Sequence, residues 1–244
     1  MTPHRTLATC RRILTQLRHD PRSIGMVMVV PCVLLGLVAW MFNDTPMVID
    51  RFGPMLLAIF PAFVMFLVTS VTTLRERTSG TLERLMTTPV GKADFLIGYA
   101  LAFALLATLQ AVVLTAWAHW VCGMDVTGPL WAVMGIAVLD AVLGSSLGLA
   151  ASSLAKTEFQ AVQMLPVVIV PQLVVCGLVM PRERMPEVLQ WVSDVAPFTY
   201  AIEAINDIAA GRGWQDAGPD AALVAGFAVL ALVLGVLTLR RRTS

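Results

Sequence analysis

The run PMLLAIFPAFVMFLVTSVTTL occupies Pro54–Leu74 and contains no charged side chain. At a rise of about 1.5 Å per residue, a helix over this run is long enough to cross a hydrocarbon core of about 30 Å. Backbone polar groups inside a bilayer must be paired within their own segment, which a helix achieves. The run therefore predicts a transmembrane helix.

Five further apolar runs of similar length lie on either side of it. The chain of 244 residues is 57% hydrophobic and only 14% charged, with a mean hydropathy of +0.78, whereas soluble domains are about 25% charged. The sequence predicts an all-α integral membrane protein of six transmembrane helices. The other five spans are Ile24–Phe42, Phe95–Val121, Leu130–Ser153, Ala161–Met180 and Ala221–Leu239.

The distribution of basic residues predicts the orientation of the spans. If the N-terminus is cytoplasmic, 13 of the 17 Lys and Arg residues fall in cytoplasmic segments, and the four outside are Arg51, Arg182, Arg184 and Arg212. Positive residues are retained on the cytoplasmic side of membrane proteins. We therefore expect a multi-pass protein of the plasma or inner membrane with both termini in the cytoplasm.

An amphipathic segment precedes the first span. In Pro3–His19 the apolar residues fall on one arc of a helix and the basic residues on the opposite arc, and Asp20-Pro21 ends it. Such a helix is expected to lie flat in the cytoplasmic interface, with its arginines facing anionic headgroups. The domain prediction is an interfacial helix over residues 1–23 and a six-helix domain over 24–244.

The connection between spans two and three has the sequence RERTSGTLERLMTTPV, over Arg75–Val90. Hydroxyl side chains before Leu82 can cap a short helix, and Pro89 ends it. The apolar stripe on that helix fits a partner surface or the protein's own cytoplasmic edge, and periodicity does not choose between them.

This run resembles the signature that follows the second span of ABC-2 type permeases, the membrane subunits of exporters such as the daunorubicin-resistance and nodulation-factor permeases. The amphipathic start, the run Ser152–Glu158 and the run Val195–Ala204 fit the same family. The resemblance implies a type V ABC exporter fold, with two short external helices that dip back toward the membrane within Pro181–Asp220. The apolar spacing of Met185, Val188, Leu189, Val192 and Val195 agrees with the first of these.

The resemblance also implies the function and the partners. The chain would be the permease of an ATP-driven exporter of a lipophilic or amphipathic substrate, working with an ABC ATPase subunit and a second permease subunit, identical or different. A pathway would be lined by spans one, two and five. The coupling residues that it implies are Glu76, Gly80, Thr81, Leu82, Glu83, Arg84 and Leu85.

Three polar residues inside the spans are candidates for the pathway. Asp140 lies in the middle of span four, where a charge is costly and is a functional hypothesis by default, although a structural hydrogen bond fits as well. Gln110 and Gln172 are weaker candidates of the same kind, because their side chains are polar but uncharged. An alternative function is therefore a proton-coupled secondary transporter that uses Asp140.

A third reading comes from Gly144–Gly148, GSSLG, which matches the nucleophile-elbow pattern of serine hydrolases. No histidine lies near it on another span, and glycines spaced by four residues favour close helix packing instead. We therefore predict no catalytic residue.

Other classes of function have no supporting pattern. The sequence contains no G-x-x-x-x-G-K-[ST] run, so ATP and Mg²⁺ would be bound by the partner and this chain would hold no cofactor. The four cysteines form no CxxC pair, so no metal site is expected, and Cys122 and Cys176 are more plausible as free thiols than as a disulfide. No basic tract with interleaved aromatic residues indicates nucleic acid.

Overall fold

The computed structural model describes residues 3–78, 92–178 and 180–238. Six of its helical stretches are long and apolar enough to cross a membrane, and each corresponds to one of the six predicted spans. In chain order the helices of these spans are α2 (Pro21–Met41), α3 (Pro46–Thr78), α4 (Lys92–Trp120), α5 (Leu130–Leu154), α6 (Glu158–Val168) with α7 (Val170–Val175), and α10 (Trp214–Thr238). The described residues contain no strand, and the all-helical fold class is confirmed.

Three short helices complete the described fold. Helix α1 (Pro3–Arg18) precedes the first span and ends before Asp20, as the sequence predicts. A 3-10 turn (Arg182–Arg184), α8 (Glu187–Asp194) and α9 (Pro197–Ala209) connect the fifth and sixth spans. Pro197 is the first residue of α9, where the backbone N–H of any residue would lack a partner within the helix, so the missing N–H of proline costs no hydrogen bond. Whether α8 and α9 re-enter the membrane remains a prediction.

Several helix ends differ from the predicted spans. Helices α3 and α10 both begin earlier than expected, at Pro46 and Trp214, because a helix continues past its apolar part into polar residues that a hydropathy criterion leaves out. The fifth span is broken at Ile169 between Pro166 and Pro171, and its helix ends at Val175 rather than near Met180. Gly177 follows with a φ of 90°, which a helix does not accommodate.

Helices α3, α4 and α5 form the centre of the bundle. Their membrane-spanning windows are between 50% and 67% buried, whereas those of α2, α6–α7 and α10 are 22% buried. The peripheral spans therefore expose most of their apolar side chains, as expected for surfaces that meet lipid or another subunit.

The contact between α3 and α5 depends on two glycines. A Cβ atom added at Gly144 would collide with the carbonyl oxygen of Ala62, and one added at Gly148 with that of Phe66. From Gly144 to Gly148 on α5, the facing residue on α3 changes from Ala62 to Phe66, which is one helical turn in the same chain direction. The two helices therefore run parallel in a fixed register. The GSSLG run is thus a packing motif inside a helix. The nucleophile-elbow reading is wrong, because an elbow requires a strand-to-helix turn and the hydroxyl of Ser146 donates to the carbonyl of Val142 in its own helix.

The two ends of the bundle differ in composition. One end, here called the α1 end, carries α1 and the C-terminal end of α3. The opposite end, called the α9 end, carries α8 and α9 and all six tryptophans, which are Trp40, Trp117, Trp120, Trp131, Trp191 and Trp214. Trp131 and Trp214 contact each other there, with ring centroids 6.0 Å apart. Exposed tryptophans at helix ends are typical of a membrane–water interface.

Candidate functional site

Only part of the predicted coupling region falls within the structure. Helix α3 carries Glu76 near its C-terminal end at Thr78. The other coupling residues lie outside the described residues; they are Gly80, Thr81, Leu82, Glu83, Arg84 and Leu85. The described part of the candidate coupling site therefore consists of the side chains that hold the C-terminal end of α3.

The carboxylate of Glu76 joins three helices. Its side chain is 7% exposed, and its Oε2 accepts a hydrogen bond from Nη2 of Arg12 at 3.1 Å, an ion pair between α3 and α1. Gln16 of α1 donates to Oε1 at 3.4 Å, and the same Arg12 nitrogen donates to the hydroxyl of Tyr99 in α4 at 3.4 Å. An ionised carboxylate is costly to bury without partners of this kind. We call Arg12, Gln16, Glu76 and Tyr99 the Glu76 cluster.

Most of the apolar face of α1 is occupied by protein, although Leu7 near its start is exposed. Cys10 and Ile13 are buried in one cluster with Tyr99 and Phe103 of α4. A Cβ atom at Gly98 would stand 2.7 Å from the Cβ of Thr9, so the missing side chain lets α1 lie directly on α4. Burial raises the pKa of the Cys10 thiol. The expectation that all arginines of α1 face headgroups is wrong for Arg12, because Arg12 pairs with Glu76.

A second set of contacts holds the other side of the α3 end. Arg75 makes a two-point ion pair with Glu158 at the start of α6, with Nε–Oε1 at 2.7 Å and Nη2–Oε2 at 2.9 Å. Arg77 donates to the backbone carbonyl of Ser152 in α5. We call these four residues the Arg75 cluster. Both side chains of this ion pair are largely exposed, so water screens the attraction and the pair contributes little to stability. Its role is to position the end of α3 against α6.

The structure does not bring the three polar span residues together. Asp140 is 1% exposed on α5, and neither carboxylate oxygen has a hydrogen-bond partner among the described residues. Gln110 of α4 donates to the carbonyl of Val27 in α2 at 3.0 Å. Gln172 of α7 accepts from the amide of Phe198 in α9 at 3.5 Å. Each residue lies at a different helix contact, and their role in a pathway remains a prediction.

Sequence reasoning missed the ion pairs of the α9 end. Arg182 pairs with Asp194 at the end of α8, and with Glu203 of α9 at 3.5 Å. Tyr200 donates to the carbonyl of Asp194 at 2.7 Å. Charge spacing gave no signal for these pairs, because the partners come from separate elements. Arg182 thus fastens the α8–α9 hairpin.

This geometry predicts the effect of Arg182→Gln. Burial raises the pKa of Glu203, and Arg182 opposes that shift. Without Arg182 the pKa of Glu203 in the folded state should rise further above its value in the unfolded state. Between these two pKa values the folded state binds more protons than the unfolded state, so the stability of the fold decreases as the pH rises through that range. We expect the variant to melt about 3 °C lower at pH 7.5 and to recover toward wild type near pH 5. Thermal unfolding of the purified protein at both pH values measures this, and an unchanged melting temperature would contradict it.

All four cysteines are free, as favoured from the sequence. Among the residues that the structure covers, no group of three or more His, Cys, Asp or Glu side chains could hold a metal ion.

Six apolar helices with a polar cluster at each end define a multi-pass helical membrane protein. The family model of the ABC-2 type transporter matches residues 5–209, and the chain belongs to that family.

Several known proteins are similar to the chain over part of their length. It is 32% identical over 149 residues to the probable multidrug ABC transporter permease YbhR of Escherichia coli K12, covering 60% of this chain and 40% of that protein. It is 25% identical over 171 residues to the linearmycin resistance permease protein LnrN of Bacillus subtilis, covering 69% and 44%. It is 28% identical over 166 residues to ABC transporter G family member 20 of Dictyostelium discoideum, covering 68% and 23%. The matches thus span less than half the length of each of these relatives.

Proposed function

We propose that this chain is the permease subunit of an ATP-driven exporter, which moves a lipophilic or amphipathic substrate out of the cell. A separate ABC ATPase would bind it and hydrolyse ATP, and a second permease subunit would complete the pathway. Membership of the ABC-2 family supports the class of function. Two of the similar proteins are named for multidrug transport and linearmycin resistance, which supports an export direction.

The observation that carries this proposal is that two sets of contacts, the Glu76 cluster and the Arg75 cluster, hold the C-terminal end of α3. The chain leaves α3 immediately before the connection of residues 79–91, which contains six of the seven implied coupling residues, and the seventh, Glu76, lies in the last turn of α3. A force on that connection would reach α1 and α4 through the Glu76 cluster. It would reach α5 and α6 through the Arg75 cluster. The end of α3 is therefore suited to pass a displacement to most of the bundle.

The proposed orientation places the α1 end in the cytoplasm. The excess of basic residues in the segments at that end supports this choice. An ATPase in the cytoplasm would then meet the connection after α3, and α8 and α9 would stand at the outer side of the membrane. There they would close the outer end of the pathway.

The direct test reverses the charges of the connection. Glu83→Arg combined with Arg84→Glu should prevent the ATPase subunit from co-purifying, and export should fall at least about tenfold, since repelling charges at an interface cost several kcal/mol. The matched control is Glu183→Arg with Arg184→Glu, the same dipeptide exposed at the α9 end. Normal co-purification and export in the first variant would refute the proposal.

The isolated burial of Asp140 supports a second candidate, a proton-coupled transporter. A charge that cannot be solvated or paired is a frequent sign of a proton relay in membrane helices. Purified protein in liposomes separates the two functions. We expect no transport under a pH gradient alone; gradient-driven transport that Asp140→Asn abolishes would establish the second candidate instead.

A further inference from the structure

An open groove of about 610 Å³ lies at the α1 end, between the end of α5 and the first turns of α6. Its wall on α6 is formed by Gln160, Gln163 and Val167, which share one face of that helix because they are three and four residues apart. From Gln160 to Val167 the groove follows α6 for about 10 Å toward the membrane interior. Leu154 of α5 and the adjoining Lys156 form its other wall and its mouth.

The mouth of the groove is rich in hydrogen-bond donors. Lys156 is exposed, and among the described residues its ammonium has no ion-pair partner. Gln160 accepts the Lys156 amide through its Oε1 at 2.8 Å, so its NH₂ group remains a donor. Glu158, two residues further along the chain than Lys156, is paired with Arg75. Within the described part of the chain, the mouth therefore presents a positive charge with no paired carboxylate, beside the carboxamides of Gln160 and Gln163.

The inner part of the groove is apolar. Met164, Pro166 and Val167 line it. Beyond it the outward face of α6 and α7 remains apolar, with Val170 and Val174 both about half-exposed at 45% and 52%. Polarity therefore changes along the groove from a cationic mouth to a hydrocarbon-like interior. This gradient matches a molecule with an anionic head at one end and an alkyl chain at the other.

We propose that the groove is the entry site for the exporter's substrate and that the substrate is an anionic amphiphile from the membrane leaflet at the α1 end. Its head group would bind at Lys156, Gln160 and Gln163, and its chain would lie along Met164 and Val167. The substrate class rests on the proposed export function, whereas the binding itself can be measured without it.

The test uses the full chain in nanodiscs with its co-purified ATPase. The probe is a phosphatidylglycerol that carries a diazirine in one acyl chain, and a phosphatidylcholine with the same labelled chain is the zwitterionic comparison. Cross-linked peptides are mapped by mass spectrometry. We expect phosphatidylglycerol to label residues 164–167 several-fold more than phosphatidylcholine. Lys156→Gln should reduce that labelling about fivefold and Lys156→Arg should preserve it, as expected for one cation at an anionic head group.

The control variant is Arg18→Gln, an exposed cation of α1 outside the groove. Equal loss of labelling in this variant would mean general attraction of anionic lipid, and would overturn the proposal. Glycerol phosphate, which has the head group without a chain, should not compete. If it competes, the site binds free phosphates and the proposal is wrong.

ATP separates a substrate from a bound structural lipid. Turnover should lower the labelling, whereas a non-hydrolysable analogue should not. The substrate assignment would be overturned if labelling were the same with and without ATP hydrolysis. It would also be overturned if the ATPase covered the groove completely. Failure of any ATPase to co-purify would instead refute the proposed function, and the charge dependence of labelling on the permease alone would still test the groove.

Discussion

Gly144→Ala and Gly148→Ala should each destabilise the folded bundle by about 2 kcal/mol. The added methyl group meets backbone atoms of α3, at Ala62 and Phe66, which cannot move aside as a side chain would. Overpacking of this kind costs about 3 kcal/mol, and the gain of about 1 kcal/mol from replacing a helical glycine offsets part of it. The two central helices would have to separate, and the yield of monodisperse protein after mild heating should fall sharply.

Gly135→Ala is the matched control for both variants. Gly135 lies on the same helix, α5, but a Cβ atom there meets no atom within 4 Å. This variant should be as stable as the wild type or slightly more so, because only the helix-propensity gain applies. Size-exclusion chromatography after heating compares the three variants. If Gly144→Ala proved as stable as Gly135→Ala, the α3–α5 register described above would be incorrect.

Glu76→Ala should uncouple ATP hydrolysis from transport. The variant leaves Arg12 without its carboxylate in a partly buried position and removes the contact that joins α1, α3 and α4. Breaking such a pair costs about 2 kcal/mol when one partner is partly solvated. We expect the amount of substrate moved per ATP hydrolysed to fall at least about tenfold, because a cost of about 2 kcal/mol exceeds the 1.4 kcal/mol that corresponds to a factor of ten. The ATPase subunit should still bind.

The thiol of Cys10 reports whether α1 has detached. Cys10 is 5% exposed between α1 and α4, and burial raises its pKa, so it should react slowly with maleimide in the wild type. Labelling, mapped to the Cys10 peptide, should accelerate in Glu76→Ala. Arg75→Ala, which breaks the exposed pair with Glu158, should leave the Cys10 rate unchanged. Slow labelling in both variants would show that the Glu76 cluster does not hold α1.

Much of the fold was predictable because a transmembrane helix is indicated by consecutive apolar residues, a pattern that can be read directly along the sequence. Each span is a long apolar run, and the bilayer allows only a helix there. The close packing at Gly144 and Gly148 was also predictable, since small residues four apart mark a helix contact. The helix ends were not, because α3 and α10 continue through polar residues such as Asp50 and Asp216 at the membrane boundary.

The site was less accessible to sequence reasoning. Glu76 was identified by resemblance alone, and its partners Arg12 and Tyr99 come from helices more than twenty residues away along the chain. Pairs that far apart leave no periodic pattern. The amphipathicity of α1 was read correctly, but periodicity shows only that a helix has an apolar face. It does not show whether lipid or α4 covers that face.

The placement of every tryptophan at the α9 end makes the chain a one-sided optical reporter. Its tryptophan fluorescence arises entirely from that end of the bundle. Brominated lipids introduced into a single leaflet would therefore quench the emission from one side of the membrane and spare it from the other. An unmodified chain thus carries the label needed to establish its own orientation.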